Sequence, residues 1–208
     1  MKNEIEENVL ATSRRSLHAV GELVIAGPQH RSHGTIRLRP SAGGFAGEAS
    51  GVAVEDGDVV SDGARIGIDG RSCREIAAAI GVEAGAPAGL YHDGCGVDVD
   101  ATLALDATAA AVLVDWLADG DTALGAFASV GPVLWPEHFD VGITLDEVNY
   151  GVSLGDAFHA TPYAYVGPWR KREGAFWNAP FGAFRSARDL PDVDAISAFF
   201  VEGREQGH

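Results

Sequence analysis

Basic residues are scarce: 15 Lys and Arg stand against 30 Asp and Glu, for a formal net charge of -15. Such a surface repels a phosphate backbone unless one patch is locally basic. The best patch, Trp169-Arg170-Lys171-Arg172, carries three cations and reads as a solvated loop. Nucleic acid is therefore not an expected partner, and an anionic membrane is disfavoured on the same grounds. Cysteine is scarcer still. Cys73 and Cys95 make neither a disulfide framework nor a metal quartet, and they read as free thiols in a reducing cytosol. Long apolar runs are missing, and no window approaches the ~20 apolar residues of a spanning helix. The opening, Met1-Lys2-Asn3-Glu4-Ile5-Glu6-Glu7-Asn8, is acidic and unlike the basic start of a signal peptide. The expected location is the cytoplasm.

What is present suits one globular domain. The chain has 208 residues, 46% hydrophobic and 22% charged, long enough to bury ~70% of the surface of its unfolded chain. Residues 1–12 read as a leader and residues 13–208 as a single domain. The pattern predicts a helix over residues 13–26, with Leu17, Val20 and Val24 facing a core and Gly27-Pro28 as its stop. Residues 35–39 alternate like a strand. Asp56-Gly57-Asp58 between Val54 and Val59 is a hairpin signal, because Asp and Gly tolerate positive φ. Ser72-Cys73-Arg74-Glu75 is a capping box opening a short helix that stops at Gly81. A Gly-, Ala- and Pro-rich loop over residues 82–96 and an alternating strand over residues 97–105 follow. Asp106 caps a helix with Val112, Leu113, Trp116 and Leu117 as its stripe and Asp119-Gly120 as its end. A last helix over residues 191–202 presents Ile196, Phe199 and Phe200. Helix, strands, helix therefore occur twice, consistent with a pseudo-repeat of residues 13–96 and 97–208.

Most of the ionisable and aromatic side chains that look out of place on a plain surface fall in residues 134–178. If Leu134-Trp135-Pro136-Glu137-His138-Phe139-Asp140-Val141-Gly142-Ile143-Thr144 is one strand, side chains alternate faces. His138 and Asp140 then share a face, where a carboxylate can orient an imidazole as a general base requires. These two are the candidate catalytic residues, and a self-satisfied edge pair is the bland alternative. Gly151-Val152-Ser153-Leu154-Gly155 spells a nucleophile elbow, but no helix pattern follows it, and the motif's base should lie far downstream, where no histidine stands beyond His159 except His208. The stretch reads instead as a Gly-rich turn bringing Asp156 and His159 near the strand.

A metal centre stays open. His138, Asp140, Asp156 and His159 supply two imidazoles and two carboxylates, suited to a divalent metal such as Zn²⁺, Mn²⁺ or Fe²⁺. Their separations match no tight motif. His30 and His33 read as an isolated loop pair, and Asp56-Gly57-Asp58 lacks the ligands of a calcium loop.

Aromatic rings gather in Pro162-Tyr163-Ala164-Tyr165-Val166-Gly167-Pro168-Trp169 and Phe176-Trp177-Asn178. Rings with polar handles line small-molecule pockets, interfaces or core layers. The candidate ligand-binding set is Trp135, Glu137, Asn149, Tyr150, Tyr163, Tyr165, Trp177 and Asn178.

The blocks Leu134-Trp135-Pro136-Glu137-His138-Phe139-Asp140, Asn149-Tyr150-Gly151 through Ser153 and Gly155-Asp156, Pro162-Tyr163 with Tyr165 and Pro168-Trp169, and Phe176-Trp177-Asn178 resemble those of an uncharacterised bacterial family common in actinobacteria, a domain of unknown function. The stretch around Leu17-His18 and Gly34-Thr35-Ile36-Arg37-Leu38 is similar to that family's opening block. The resemblance implies homology and supplies no reaction, cofactor or catalytic residue.

The expected fold is α+β, with a mainly antiparallel sheet, helices on one side and two related halves. The leading functional expectation is a small-molecule pocket lined by Trp135, Tyr163, Tyr165 and Trp177, with His138 and Asp140 as its polar pair. Two alternatives stand beside it: a non-catalytic interaction protein, such as a homodimer, whose aromatics are core or interface, and a His/Asp metal-dependent enzyme.

Overall fold

The computed structural model describes residues 5–206. Helix α1 spans Glu7–Ala19, so the segment read as a leader is helical from Glu7 onward, and residues 1–4 lie outside the described part. The helix does not stop at Gly27-Pro28. It widens into a π-helical segment, Val20–Ala26, and continues as α2, Gly27–His33, until Gly34 adopts the left-handed φ of 73° that closes it. Gly27 is a packing residue here: a Cβ on it would stand 1.7 Å from the Gly85 carbonyl oxygen. Pro28 directly follows the π-helical segment, in the first turn of α2.

Five short strands follow: β1 Leu38–Ser41, β2 Gly44–Gly47, β3 Ala53–Glu55, β4 Asp58–Ser61 and β5 Ala64–Gly67. The expected Asp56-Gly57 hairpin is present. Asp56 and Gly57 both take positive φ, and Asp62-Gly63 repeats the arrangement one hairpin later. The backbone twist of such turns matches that of the flanking strands. Helix α3, Cys73–Ala79, opens on the complete Ser72–Glu75 capping box. Residues 97–105 alternate but form no strand; a single bridge joins Thr102 to Ser72, and the remaining alternation has no sheet partner.

Helix α4 spans Ala107–Phe127, with Asp106 accepting the Ala109 N–H at 2.8 Å as its cap. It runs past Gly120, because that glycine is a contact and not a stop: a Cβ there would lie 2.1 Å from the Val152 side chain. Val112, placed on the apolar stripe by sequence, is exposed; Ala109, Leu113, Trp116 and Leu117 are buried. Strands β6 Val133–Trp135, β7 Asp140–Leu145, β8 Val148–Ser153, β9 Tyr163–Pro168 and β10 Ala183–Ser186 precede the final helix α5, Val193–Glu205. Ile196, Phe199 and Phe200 of α5 are buried as expected.

The architecture is α+β with antiparallel strand pairing throughout the described pairs. The chain divides into two compact units. Unit 1 holds residues 1–115 and 134–139, and unit 2 holds residues 116–133 and 140–208. In unit 1 the strand order is β6-β1-β2-β3-β4-β5, with the π-helical segment against β2. Its core is formed by Leu17, Val20, Val24, Ile25, Leu38, Phe45, Ile68 and Ile76, all essentially inaccessible. In unit 2 the order is β10-β9-β8-β7, with α5 against β9. Tyr150, Phe127 and Phe200 pack their rings together there, with centroids 4.8 to 6.1 Å apart. No helix among the described residues is long and apolar enough to cross a membrane.

Candidate functional site

The run from Trp135 to Asp140 is not one strand. After Trp135 the chain turns through residues 136–139, with the Phe139 N–H donating to the Trp135 carbonyl at 2.8 Å and Phe139 at a φ of 54°. The turn interrupts the alternation that placed His138 and Asp140 on a common face. His138 is exposed in the turn and belongs to unit 1, whereas Asp140 begins β7 in unit 2. Phe139 is held by its neighbours: it stacks on His18 with centroids 5.0 Å apart and meets Phe45 edge-on.

The candidate ligand residues of unit 2 are largely committed to one another. The Tyr165 hydroxyl donates to the Asp140 carboxylate, and the Tyr163 hydroxyl donates to Asp156 Oδ2 at 2.7 Å. Tyr165 reaches Asp140 by lying across two glycines: Gly151 is its cross-strand partner on β8, and Gly142 is the partner of Gly151 on β7. A Cβ on Gly151 would stand 2.4 Å from the Tyr165 hydroxyl oxygen. Gly151 is therefore a strand residue that admits a ring, not part of a Gly-rich turn. Burial, then the charge of Asp140, holds the Tyr165 phenol well above its ordinary pKa, so it remains a donor. Tyr150 is a core ring, buried and packed on Phe127 and Phe200. Asn178 clamps β10, donating to the Phe184 carbonyl and accepting its N–H. Asn149 accepts from the Thr144 hydroxyl at 2.8 Å. Trp177 lies under the Arg172 guanidinium, and in unit 1 Trp135 lies under that of Arg37. Glu137 sits half-buried in the 136–139 turn.

The metal set is also not assembled. Asp156 folds back on its own loop, accepting the N–H groups of Phe158 and His159 at 2.8 and 3.0 Å, and His159 pairs through Nε2 with the Thr161 hydroxyl. Among the described residues no group of three His, Cys, Asp or Glu side chains is placed to hold a metal ion. Ser153 is buried and accepts the Gly155 N–H, so it does not present its hydroxyl as a nucleophile elbow does.

A different site stands in unit 1, on the π-helical segment. Glu22 lies inside the apolar run Val20-Gly21-Glu22-Leu23-Val24-Ile25-Ala26 and is only 2% exposed. A carboxylate is almost never buried this way without a purpose or a partner. Its partner is a backbone group: the Cys95 N–H donates to Glu22 Oε2 at 2.6 Å. The other carboxylate oxygen rests over Gly94, where a Cβ would come within 2.2 Å.

The loop that supplies Gly94 and Cys95 is fastened at both ends to consecutive residues of the helix. At its start the Gly85 N–H donates to the Leu23 carbonyl at 2.8 Å, and the Arg31 guanidinium donates to the Gly85 and Glu83 carbonyls. At its end stands the Cys95–Glu22 bond. Between these anchors the chain arches outward and encloses an open cleft of about 440 Å³, whose walls include Glu22, Leu23, Pro87, Tyr91, Asp93 and Cys95. That volume falls within the ~300–1,000 Å³ usual for small-molecule sites. π-helical turns occur frequently at functional sites because they displace side chains from the regular spiral.

The Tyr91 hydroxyl is buried at this cleft beside the Glu22 carboxylate, with no hydrogen bond of good geometry to it or to any other group. Burial, and then the nearby Glu22 charge, raises its pKa far above the ordinary phenol value, so it stays protonated. Burial likewise pushes the thiols of Cys95 and Cys73 up to about 12. Both therefore rest as thiols at neutral pH.

His18 stands one turn before Glu22, outside the walls of the cleft. Its Nε2 donates to the Pro136 carbonyl at 2.7 Å, which assigns the proton of the neutral ring to that nitrogen. Burial lowers its pKa, opposed by the Pro136 carbonyl and the Glu22 charge and reinforced by His138.

Sequence reasoning passed over Glu22, Tyr91 and Cys95. The available signals were an acid within an apolar helical run and the dense polar cluster Tyr91-His92-Asp93-Gly94-Cys95 inside a Gly-, Ala- and Pro-rich loop. No protein-family model, curated protein or solved structure matches the chain.

Proposed function

We propose that this protein binds a small molecule in the unit-1 cleft above Glu22. One observation carries the reading: the Tyr91 hydroxyl is buried in the wall of the cleft beside Glu22 and lacks a hydrogen bond of good geometry. Buried polar groups in native proteins are nearly always satisfied, and an orphan beside a cleft of ligand size asks for a partner. The buried Glu22 carboxylate at the same place supports it, since the Cys95 N–H, with the Cys95 thiol and the Tyr91 hydroxyl beside it, leaves part of its accepting capacity open. The small-molecule expectation is retained, and its location moves from the His138 and Asp140 region to the π-helical segment. The acidic composition and the two free thiols favour a cytoplasmic setting without nucleic acid.

A thermal-shift screen of metabolites tests the proposal. A ligand that binds only the folded protein raises its unfolding midpoint, and Tyr91→Phe should diminish the shift. A hit whose shift is unaltered in both Tyr91→Phe and Glu22→Gln binds elsewhere, and such an outcome overturns the reading.

The interaction reading has its own observation. In unit 2, Phe158 and Phe181 are 42% and 37% exposed and meet edge-on with centroids 4.9 Å apart. Exposed apolar pairs of this kind favour a contact surface, for which a homodimer is the simplest case. Sedimentation of the wild type and of Phe158→Ser distinguishes it, since only a dimer built on this patch would dissociate.

A further inference from the structure

We infer that the unit-1 cleft selects an organic cation that carries N–H donors, an ammonium or guanidinium group seated between the Glu22 carboxylate and the Tyr91 hydroxyl. The inference rests on the proposed function and adds the chemical class of the ligand.

The sign of the charge comes from the walls. Glu22 and Asp93 line the cleft, His92 is the one basic side chain in its walls, and no Lys or Arg is present there. Glu137 adds its negative charge at Tyr91. A low-dielectric cleft of one sign attracts the opposite charge and repels its own. An anionic ligand would enter against Glu22 at 2% exposure, where water screens little.

The type of cation comes from the acceptors. No three His, Cys, Asp or Glu side chains among the described residues are placed to hold a metal ion. Tyr91 and the exposed His92 are the aromatic rings in the walls, too few for the cage that recognises a quaternary ammonium. What the cleft offers is hydrogen-bond acceptance. The Glu22 carboxylate, with about four lone-pair sites, keeps accepting capacity beyond the Cys95 N–H, the Cys95 thiol and the Tyr91 hydroxyl that face it, and the buried Tyr91 oxygen has no hydrogen bond of good geometry. An ammonium brings three donors and a guanidinium five, with no acceptor on either to clash with a carboxylate. One such group would pair Glu22, satisfy Tyr91 and leave the Cys95 N–H contact intact.

The placement of Cys95 supplies a local reporter. Its thiol stands in the cleft wall, so a molecule seated there slows its alkylation, whereas one bound on the acidic outer surface does not. Calorimetry and Cys95 alkylation, read by mass spectrometry of the peptide, would be run with 1,4-diaminobutane and agmatine. Uncharged 1,4-butanediol and anionic succinate are the matched controls. The expected result is that one or both amines raise the unfolding midpoint and protect Cys95. Glu22→Gln should weaken the bound amine by about tenfold or more, and Tyr91→Phe, which keeps the ring and needs no new packing, should weaken it several-fold.

Protection of Cys95 by 1,4-butanediol, by succinate or by an uncharged metabolite, with none from the amines, overturns the charge assignment and leaves the cleft as a binding site. Amine binding that Tyr91→Phe and Glu22→Gln both leave unchanged also overturns it. Failure of every compound in the amine set and of a broad metabolite panel to protect Cys95 removes the site itself. If Glu22→Gln does not fold, Tyr91→Phe with the Cys95 readout decides the matter.

Discussion

The backbone N–H of Cys95 and the carboxylate of Glu22 are joined by a 2.6 Å hydrogen bond that crosses from a loop into a π-helical turn. The charge-assisted contact is stronger than a neutral one, and it fastens the loop over residues 85–95 at the residue adjoining its other anchor, Leu23. Gly94 makes the approach feasible, since any Cβ there meets Glu22 Oε1 at 2.2 Å. Gly94→Ala should therefore destabilise the protein by about 1–3 kcal/mol through overpacking against a buried group. Gly125→Ala, in α4 where no neighbour lies within 4 Å, should be neutral or stabilising, because alanine favours a helix by ~1 kcal/mol over glycine. Urea unfolding of the two variants checks the contrast, and equal effects would refute the packing account.

Cys95 should react slowly with iodoacetamide at neutral pH. Burial is the main reason and Glu22 the second. Glu22→Gln removes only the carboxylate contribution, so it should speed alkylation of Cys95 while leaving Cys73 unchanged, whose thiol is raised by burial alone. The pH–rate profile of each cysteine is the measurement. An identical acceleration of both would report general loosening instead.

His18 makes folding sensitive to acid. Its folded pKa lies below the ordinary 6.5, chiefly from burial. The unfolded chain then takes up a proton near pH 6.5 that the folded chain refuses, so stability is complete above that pH and declines as pH falls through it. His18→Gln keeps a side-chain donor for the Pro136 carbonyl and cannot titrate. Its urea midpoint should fall less steeply than that of the wild type between about pH 7 and 5, whatever its absolute stability.

The legible parts of the sequence were those written in local chemistry. Ser72 with Glu75, Asp56-Gly57 and Asp106 act within a few residues of themselves, so a capping box, a hairpin and a helix start could be read directly. The illegible parts were decided by distant neighbours. Gly27, Gly120 and Gly151 look like punctuation, yet each is glycine because Gly85, Val152 or Tyr165 approaches it. The run around Asp140 reads as one strand until the left-handed Phe139 breaks it, and a bulky residue at positive φ leaves no mark in a periodicity. Glu22 was hidden for a related reason. Its apolar neighbours correctly announced a buried helix, and a carboxylate within it gains meaning only when Cys95 arrives from far along the chain.

The protein contains four tyrosines, and all four phenols are held above their ordinary pKa of 10, each mainly by burial. The unfolded chain ionises first as pH rises past about 10, so stability should decline from there upward. In the folded protein no phenolate absorbance should grow in through that range. It should appear together with loss of secondary structure, at a single pH. Separate titration of one tyrosine before unfolding would show that its ring is less protected than the structure places it.

Tyr165 and the two glycines beneath it permit a sharper test by double substitution. On Gly142 a Cβ would meet the Tyr165 hydroxyl oxygen at 2.9 Å and otherwise only the Tyr150 carbonyl at 3.2 Å. On Gly151 it would meet that hydroxyl, the ring carbon bearing it at 2.5 Å and the Val141 carbonyl at 2.6 Å. Gly151→Ala should therefore cost about 3 kcal/mol and Gly142→Ala less. Tyr165→Phe should itself cost about 1–3 kcal/mol, because it withdraws the donor from Asp140. In the Tyr165→Phe background the penalty of Gly142→Ala should shrink, since the principal obstacle has gone. The penalty of Gly151→Ala should persist, since the ring and a backbone oxygen still block it. Two such cycles measured by urea unfolding yield coupling energies directly. Coupling at Gly151 equal to that at Gly142 would mean that the ring does not lie across the strands as described.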